Sequence, residues 1–255
     1  MSEPTEYPHG TPSWVDLGVP DLEAAKAFYE GLFGWSVDAD ARPEAGGYAM
    51  CLLRGKPVAG LGPQMQPDIP PYWSVYVTVD DADAALTTAE ANGGSVLAPA
   101  FDVLDVGRMG IVADPAGAVI SVWEARAHAG AGIVNEPGTF CWNELGSSDL
   151  DAVRPFYAAV FGWGEDAASS EEGVLFTVGD RGVCGSHRAG EGEPNAWSVW
   201  FAVEDCDAAT GQAVELGATV LMPPNDMDFG RGAMVMDPAG AVFGMAAVKE
   251  DYLAR

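Results

Sequence analysis

The sequence predicts an α+β fold of two tandem domains, each built from two β-α-β-β-β modules of roughly 60 residues. Two observations carry this prediction. The first is a long repeat. Trp14-Val-Asp-Leu-Gly-Val-Pro-Asp21 with Phe28-Tyr-Glu-Gly-Leu-Phe-Gly-Trp35 returns as Trp142-Asn-Glu-Leu-Gly-Ser-Ser-Asp149 with Phe156-Tyr-Ala-Ala-Val-Phe-Gly-Trp163. Trp73-Ser-Val-Tyr-Val returns as Trp197-Ser-Val-Trp-Phe, and Asp114-Pro-Ala-Gly-Ala-Val as Asp237-Pro-Ala-Gly-Ala-Val. Blocks in the same order at nearly constant spacing mark a duplicated domain. The second observation is a shorter repeat within each half. Leu17-Gly-Val-Pro-Asp21-Leu-Glu-Ala-Ala is echoed by Val77-Thr-Val-Asp-Asp81-Ala-Asp-Ala-Ala, and Asp149 is echoed by Asp205.

The elements follow in order. Each module opens on an alternating strand. Asp21, Asp81, Asp149 and Asp205 then stand at helix N-caps, where a carboxylate accepts from free backbone N–H groups. Leu22, Ala25, Tyr29, Leu32 and Phe33 recur at helical spacing and form one apolar face. Strands are expected over 48–53, 58–61, 95–97, 107–112 and 119–123, punctuated by glycine and proline. Asp114-Pro-Ala-Gly117 is a tight-turn signal between the last two. Residues 125–138 have no hydrophobic period and read as the connector. The expected organisation is domain 1–126, linker 127–138 and domain 139–255, with halves that fold separately and a proteolytic cut between them.

Composition narrows the partners. The net charge of −26 repels nucleic acid and anionic membranes, so neither is expected as a partner. The N-terminus is polar and no long apolar run is present, which points to a cytoplasmic protein without a signal peptide or membrane span. Cys51, Cys141, Cys184 and Cys206 lack metal or redox spacing and read as free thiols. Asp80-Asp-Ala-Asp83 lacks the glycine and final glutamate of a calcium loop. There is no phosphate-binding loop, dinucleotide fingerprint or nucleophile elbow.

Val19-Pro-Asp-Leu-Glu-Ala-Ala-Lys-Ala-Phe-Tyr29, Leu32-Phe-Gly-Trp35, Val79-Asp-Asp-Ala-Asp-Ala-Ala85 and Asp114-Pro-Ala-Gly-Ala-Val119 resemble the vicinal oxygen chelate superfamily. That superfamily includes glyoxalase I, extradiol dioxygenases and the bleomycin- and fosfomycin-resistance proteins. The nearest likeness is to its tandem glyoxalase-like members. The resemblance implies that each half curls its sheet into a U-shaped cavity; it does not choose a reaction, because this fold hosts many. It also implies metal ligands seven residues before the helix-cap aspartate and seven after the Asp of Asp-Pro-x-Gly. Here those positions hold Trp14, Ser74, Trp142 and Ser198, and Ser121 and Gly244. None is His, Glu or Gln, and an indole offers a metal no lone pair. No metal and no other cofactor is therefore expected, nor the glyoxalase and dioxygenase reactions that need one. Of the three histidines, His9 falls in the N-terminal segment and His128 in the connector. His187 reads as a polar loop residue or, alternatively, an inward-facing one.

Strand alternation puts residues i and i+2 on one face. If Trp14 faces the cavity, so do Asp16 and Gly18, and in the second half Trp142, Glu144 and Gly146. The other inward positions are Ser74 and Tyr76, Ser198 and Trp200, and Ser121 and Trp123. Apolar walls with few polar groups make a ligand pocket; the alternative is that the aromatics are core, which is the expectation for Trp35, Trp73, Trp163 and Trp197. Because Trp123 aligns with Ala246 and Trp200 with Tyr76, the two cavities should differ in shape. Arg108 and Arg231 repeat, and each either pairs with a carboxylate or holds an anionic ligand group. Two functions remain open. One is binding of a small hydrophobic or aromatic metabolite, antibiotic- or polyketide-like, for sequestration or resistance. The other is a metal-independent isomerase, lyase or cyclase of secondary metabolism with Asp16 and Glu144 as acid and base.

Overall fold

The computed structural model describes residues 3–249. β1 (Pro12–Val19), α1 (Leu22–Phe33), β2 (Ser36–Ala39), β3 (Ala49–Leu53) and β4 (Lys56–Pro63) form the first module. β5 (Trp73–Thr78), α2 (Ala82–Ala91), β6 (Ser95–Val103), β7 (Gly107–Ala113) and β8 (Val119–Ala125) form the second. The other half repeats them as β9 (Phe140–Ser147), α3 (Leu150–Phe161), β10 (Gly164–Glu165), β11 (Gly173–Val178) and β12 (Arg181–Arg188), then β13 (Ala196–Ala202), α4 (Cys206–Glu215), β14 (Thr219–Met227), β15 (Gly230–Met236) and β16 (Val242–Val248).

All four expected helix caps form. The carboxylates of Asp21, Asp81, Asp149 and Asp205 accept from the N–H groups of Ala24, Ala84, Ala152 and Ala208. The short edge strands β2 and β10 carry too few residues for a sequence pattern. β6 runs six residues past its expected end. It tolerates Pro99 because it is an edge strand whose register shifts between Ala98 and Phe101.

Each half is one eight-stranded sheet, ordered β2-β3-β4-β1-β5-β8-β7-β6 and β10-β11-β12-β9-β13-β16-β15-β14. The opening strands of its two modules pair antiparallel at the centre, β1 with β5 and β9 with β13. β4 and β8 flank the first pair in parallel, as β12 and β16 flank the second. Alternation then sorts the side chains. Val15, Leu17, Val75 and Val77 are buried on the helix-covered face, and Trp14, Asp16, Ser74 and Tyr76 stand on the other. Among the described residues no helix is long and apolar enough to cross a membrane.

The two halves share one core. Phe33 meets Phe201 with ring centroids 5.0 Å apart, Trp73 meets Phe201 at the same distance, and Phe28 meets Phe243 at 6.4 Å. A pseudo-symmetric polar lock crosses the junction. The Tyr29 hydroxyl donates to Asp237 Oδ2 (2.9 Å) and accepts from Trp73 Nε1 (3.2 Å). Tyr157 likewise donates to Asp114 Oδ2 (2.8 Å) and accepts from Trp197 Nε1 (3.0 Å). The Oδ1 atoms of Asp114 and Asp237 meanwhile hold their own Asp-Pro-Ala-Gly turns. Trp35 Nε1 donates to Gly138 O at the end of the connector, and Trp163 Nε1 to Gly10 O in the first half. Trp35, Trp73, Trp163 and Trp197 are thus core, as the sequence suggests, but of a core common to both halves.

The connector is also packed. Ala131, Ile133 and Val134 are buried, and Ala131 N donates to Ser13 O and Gly132 N to Pro57 O. A buried, hydrogen-bonded connector is a poor proteolytic site, contrary to the expectation from sequence. Tyr29→Phe should leave Asp237 Oδ2 and Trp73 Nε1 short of a partner and lower stability by about 1–3 kcal/mol. Equilibrium urea unfolding of the full chain checks this. A loss under about 0.5 kcal/mol would mean that water restores the lock.

Candidate functional site

The sheet face opposite the helices, where the sequence places the first cavity, centres on Asp16. β1 brings Trp14 and Asp16 to the open face, and the β1–β5 register sets Asp16 opposite Ser74 and Trp14 opposite Tyr76. Tyr48, just before β3, reaches across β4. Gly60 makes this possible, because a Cβ there would overlap the Tyr48 hydroxyl. Trp14 Nε1 donates to the Tyr48 oxygen (3.0 Å), which leaves the Tyr48 proton for Asp16 Oδ2 (3.2 Å). Tyr76 donates to the same Oδ2 (2.9 Å). Two donors occupy Oδ2, so the proton Asp16 takes up belongs on Oδ1. Burial pushes this carboxyl up to about 6, against the downward pull of hydroxyls on Tyr76, Ser74 and Tyr48. Asp16 itself keeps partial access to the cavity.

The far end of this cavity is filled. Trp14, Tyr76, Ser121 and Trp123 are buried. Trp123 lies over Gly107, edge-on to Tyr76 with centroids 6.4 Å apart, and its Nε1 donates to His128 O (2.9 Å). The His128 ring, delivered by the connector, sits edge-on to Trp14 at 4.5 Å, and burial lowers its pKa to about 4, so it is neutral. Sequence reasoning missed both His128 and Tyr48. The bare glycines Gly60 and Gly62 next to an aromatic-bearing strand were the available signal for Tyr48. For His128 there was none, since tertiary packing alone brings the connector to Trp14.

The second cavity has different chemistry. Trp142 Nε1 donates to Glu144 Oε2 (2.8 Å). His187, on β12, stands where the first half has Gly62, with Nδ1 3.5 Å from Glu144 Oε1 and Nε2 2.7 Å from Glu193 Oε1. It is an inward residue rather than a loop one. The hydrogen bond with Glu144, then that with Glu193, raises its pKa to about 9 against partial burial. The Ser198 hydroxyl donates to Glu144 O (3.2 Å). Trp200 packs against Phe229 at 5.8 Å, over Gly244, where any Cβ would overlap its ring. A histidine with a raised pKa contributes stability that is whole below about pH 6.5 and lost as pH rises through about 9. Thermal melts should show that loss in the native chain and not in His187→Gln. Since the group is half exposed, the difference should be a few tenths to about 1 kcal/mol.

Of the two alternatives for Arg108 and Arg231, pairing with carboxylates is the one the structure shows. Register pairs Arg108 with Glu124, on the helix-covered face, while Met109 pairs with Trp123 on the cavity face. Arg108 is held by Asp83 (2.8 Å) and Asp102 (2.9 Å), and Arg231 by Asp207 and by Asp226 (3.0 Å). Both ion pairs tie a sheet edge to the first turn of a helix. Among the described residues, no group of three or more His, Cys, Asp or Glu could hold a metal ion.

Comparison with known proteins agrees with this geometry. The family model described as "Glyoxalase/Bleomycin resistance protein/Dioxygenase superfamily" matches residues 11–122, and the one described as "Glyoxalase-like domain" matches 142–246. The chain is 42% identical over 253 residues to the putative glyoxylase CFP32 of Mycobacterium tuberculosis, spanning 95% of this chain and 97% of that protein. It is 39% identical over 268 residues to the anthracycline biosynthesis protein DnrV of Streptomyces peucetius, spanning 97% of both. Among solved structures, the Mn(II)-bound glyoxalase from Novosphingobium aromaticivorans superposes with a TM-score of 0.65 at 18% identity, over 94% of this chain and 83% of that one. The trihydroxybiphenyl dioxygenase from Sphingomonas wittichii gives 0.64 at 17% identity, over 94% and 90%. At such identities these structures speak for the fold alone.

Proposed function

The chain belongs to the glyoxalase/bleomycin resistance protein/dioxygenase superfamily, whose members bind small-molecule substrates, and on that premise we propose that it binds a small flat hydrophobic metabolite without a metal. The metabolite lies in the first cavity with an oxygen at Asp16. The observation that carries this reading is the Asp16 cluster: one half-buried carboxyl ringed by Tyr48, Tyr76, Trp14 and Ser74. Such a site favours a neutral, hydrogen-bonding group on an apolar body. The polyketide class is supported by relatives named for anthracycline biosynthesis. Titration with dihydroxyanthraquinone should quench tryptophan emission saturably, and native mass spectrometry should show the mass of one bound molecule. A linear, non-saturating response would reject the reading.

A resident divalent ion does not fit this donor set. The positions that hold ligands in metal-dependent relatives carry Trp14, Ser74, Ser121, Trp142, Ser198 and Gly244, and indoles and glycine offer no donor atom. No chemical step is routed through a metal. Elemental analysis after chelator-free purification should find no stoichiometric zinc, nickel, iron or manganese; one equivalent of any of these would overturn the assignment.

Asp16 also favours a second reading, as a metal-independent isomerase, lyase or cyclase. A half-buried carboxyl with a pKa raised to about 6 can take a proton from, or give one to, a bound substrate at neutral pH. Glu144 is the counterpart candidate in the second cavity. There the carboxylate already engages Trp142 and His187.

A further inference from the structure

We propose that the loop between β4 and β5, residues 64–72, is the specificity element of the first cavity, closing its apolar side chains and the Tyr72 phenol over a flat, un-ionised ligand that carries a hydroxyl or keto oxygen. This rests on the ligand-binding reading above and adds to it the element that reads the ligand.

Tyr72, Ser74 and Tyr76 alternate at i, i+2 and i+4, so they share the cavity face. The pairing of Trp73 with Leu17 sets Tyr72 beside Gly18, next to Asp16. The Tyr72 phenol accordingly feels the Asp16 carboxylate, which together with partial burial raises its pKa.

Exposure points the same way. Met65 is 89% exposed, Ile69 44% and Tyr72 48%, three large apolar-bodied side chains within the eight residues that lead into β5 beside Asp16. Water is a poor environment for such a cluster, and covering it with a ligand releases that cost. The loop is also shaped in advance. Pro67, Pro70 and Pro71 restrict its backbone. Gln64 Nε2 donates to Gln66 O (3.1 Å) and to Ile69 O, and Ile69 N donates to Gln66 O (3.1 Å). Pre-shaping lowers the entropy lost when a ligand is enclosed.

The second half supplies a contrast. Its equivalent loop, residues 189–195, is Ala-Gly-Glu-Gly-Glu-Pro-Asn and is tied down. Glu193 engages His187 and Gly190 N, and Asn195 accepts from Ser148 N and donates to Ala116 O. Of these two loops, the one in the first half exposes large apolar side chains. The ligand's charge follows from its surroundings. An anion would face Asp16 in a chain of net charge −26, so anionic forms of the same ring system are excluded.

The test uses the full chain with two probes, dihydroxyanthraquinone and anthraquinone sulfonate, read by tryptophan quenching. The native chain should bind the first and not the second. Met65→Ser combined with Ile69→Ser should weaken binding about tenfold, and Tyr72→Phe about threefold, all with unchanged melting temperature because these side chains are exposed. If the loop variants bind as the native chain does while Trp14→Ala abolishes binding, the loop is not part of the site and ligand binding in the first cavity stands. If the native chain binds neither probe, the binding reading itself falls. Preference for the sulfonate would overturn the proposed ligand class. A concentration-dependent dimer in sedimentation, dissolved by Met65→Ser with Ile69→Ser, would make the loop a self-association face and overturn the proposal.

Discussion

Asp16→Asn should remove the pH dependence of the first cavity while leaving the fold intact. An amide keeps the carboxyl's shape and still accepts from Tyr48 and Tyr76 through its oxygen. It cannot titrate. In the native chain, burial raises the Asp16 pKa from 3.8 to about 6. The folded state thus holds the proton more tightly than the unfolded state does. The sign follows: the contribution of Asp16 to native stability falls as pH rises from about 4 to about 6 and is constant above that range. A shift of this size corresponds to an upper bound near 3 kcal/mol, and partial access to the cavity reduces it to about 1–2 kcal/mol. The Asn variant should therefore match the native chain near pH 4 and exceed it at pH 7 by that margin in denaturant melts. Ligand affinity supplies the functional readout. Under the binding reading, dihydroxyanthraquinone affinity changes within about threefold and loses its midpoint near pH 6. Under the acid–base reading, turnover of a substrate falls by about 10²–10⁴ while binding persists. A variant that is less stable at pH 7 than the native chain would mean that the carboxylate holds the sheet together as an anion.

Neither half should fold by itself. The chain cut into 1–126 and 139–255 would expose, in the first piece, Phe28, Tyr29 and Phe33 of α1, and in the second, Phe201 and Phe243. All five are buried in the intact chain. Burying one such aromatic contributes about 1.5–3 kcal/mol, so the three of one piece and the two of the other amount to losses comparable with the about 5–15 kcal/mol that separates a typical domain from its unfolded state. Splitting also orphans Asp114 and Asp237, whose Oδ2 atoms accept from tyrosines of the opposite half. Each piece alone should show no cooperative thermal transition, and mixing the two should restore one. A sharp transition in either isolated piece would show that a half retains a sufficient core. The boundaries 1–126 and 139–255 remain proposals for where repeat units begin and end. Their outermost residues lie outside the described 3–249.

The two sites were unequally legible. Asp16 and Glu144 could be set on the same face as Trp14 and Trp142 by alternation once the resemblance had assigned those tryptophans, because period-two geometry fixes which face a strand residue takes once one neighbour is assigned. Trp200 was placed on the cavity face in the same way. Arg108 was left between a carboxylate pair and a ligand contact because a repeated cation signals a partner without saying on which face. It lies one residue from Met109, and one residue is the whole difference between cavity and helix side. His187 was ambiguous for a related reason, since the end of β12 could not be fixed closely enough to assign its face.

By itself the sequence determined the module order, the four helix caps, the Asp-Pro-Ala-Gly turns and the superfamily, because these depend on local pattern and on repetition along the chain. Tertiary structure alone decided three things. It merged the two halves into one core through Tyr29, Tyr157 and their partner aspartates, contacts that span 208 and 43 residues. It brought Tyr48 and His128 to Trp14 from 34 and 114 positions away. It gave the two cavities opposite electrostatics, a carboxyl among neutral hydroxyls in one and a histidine between two carboxylates in the other. The physical reason is common to all three. Burial and charge pairing depend on which residues meet in space, and a repeat aligned along the chain carries no record of a side chain that arrives from outside its own module.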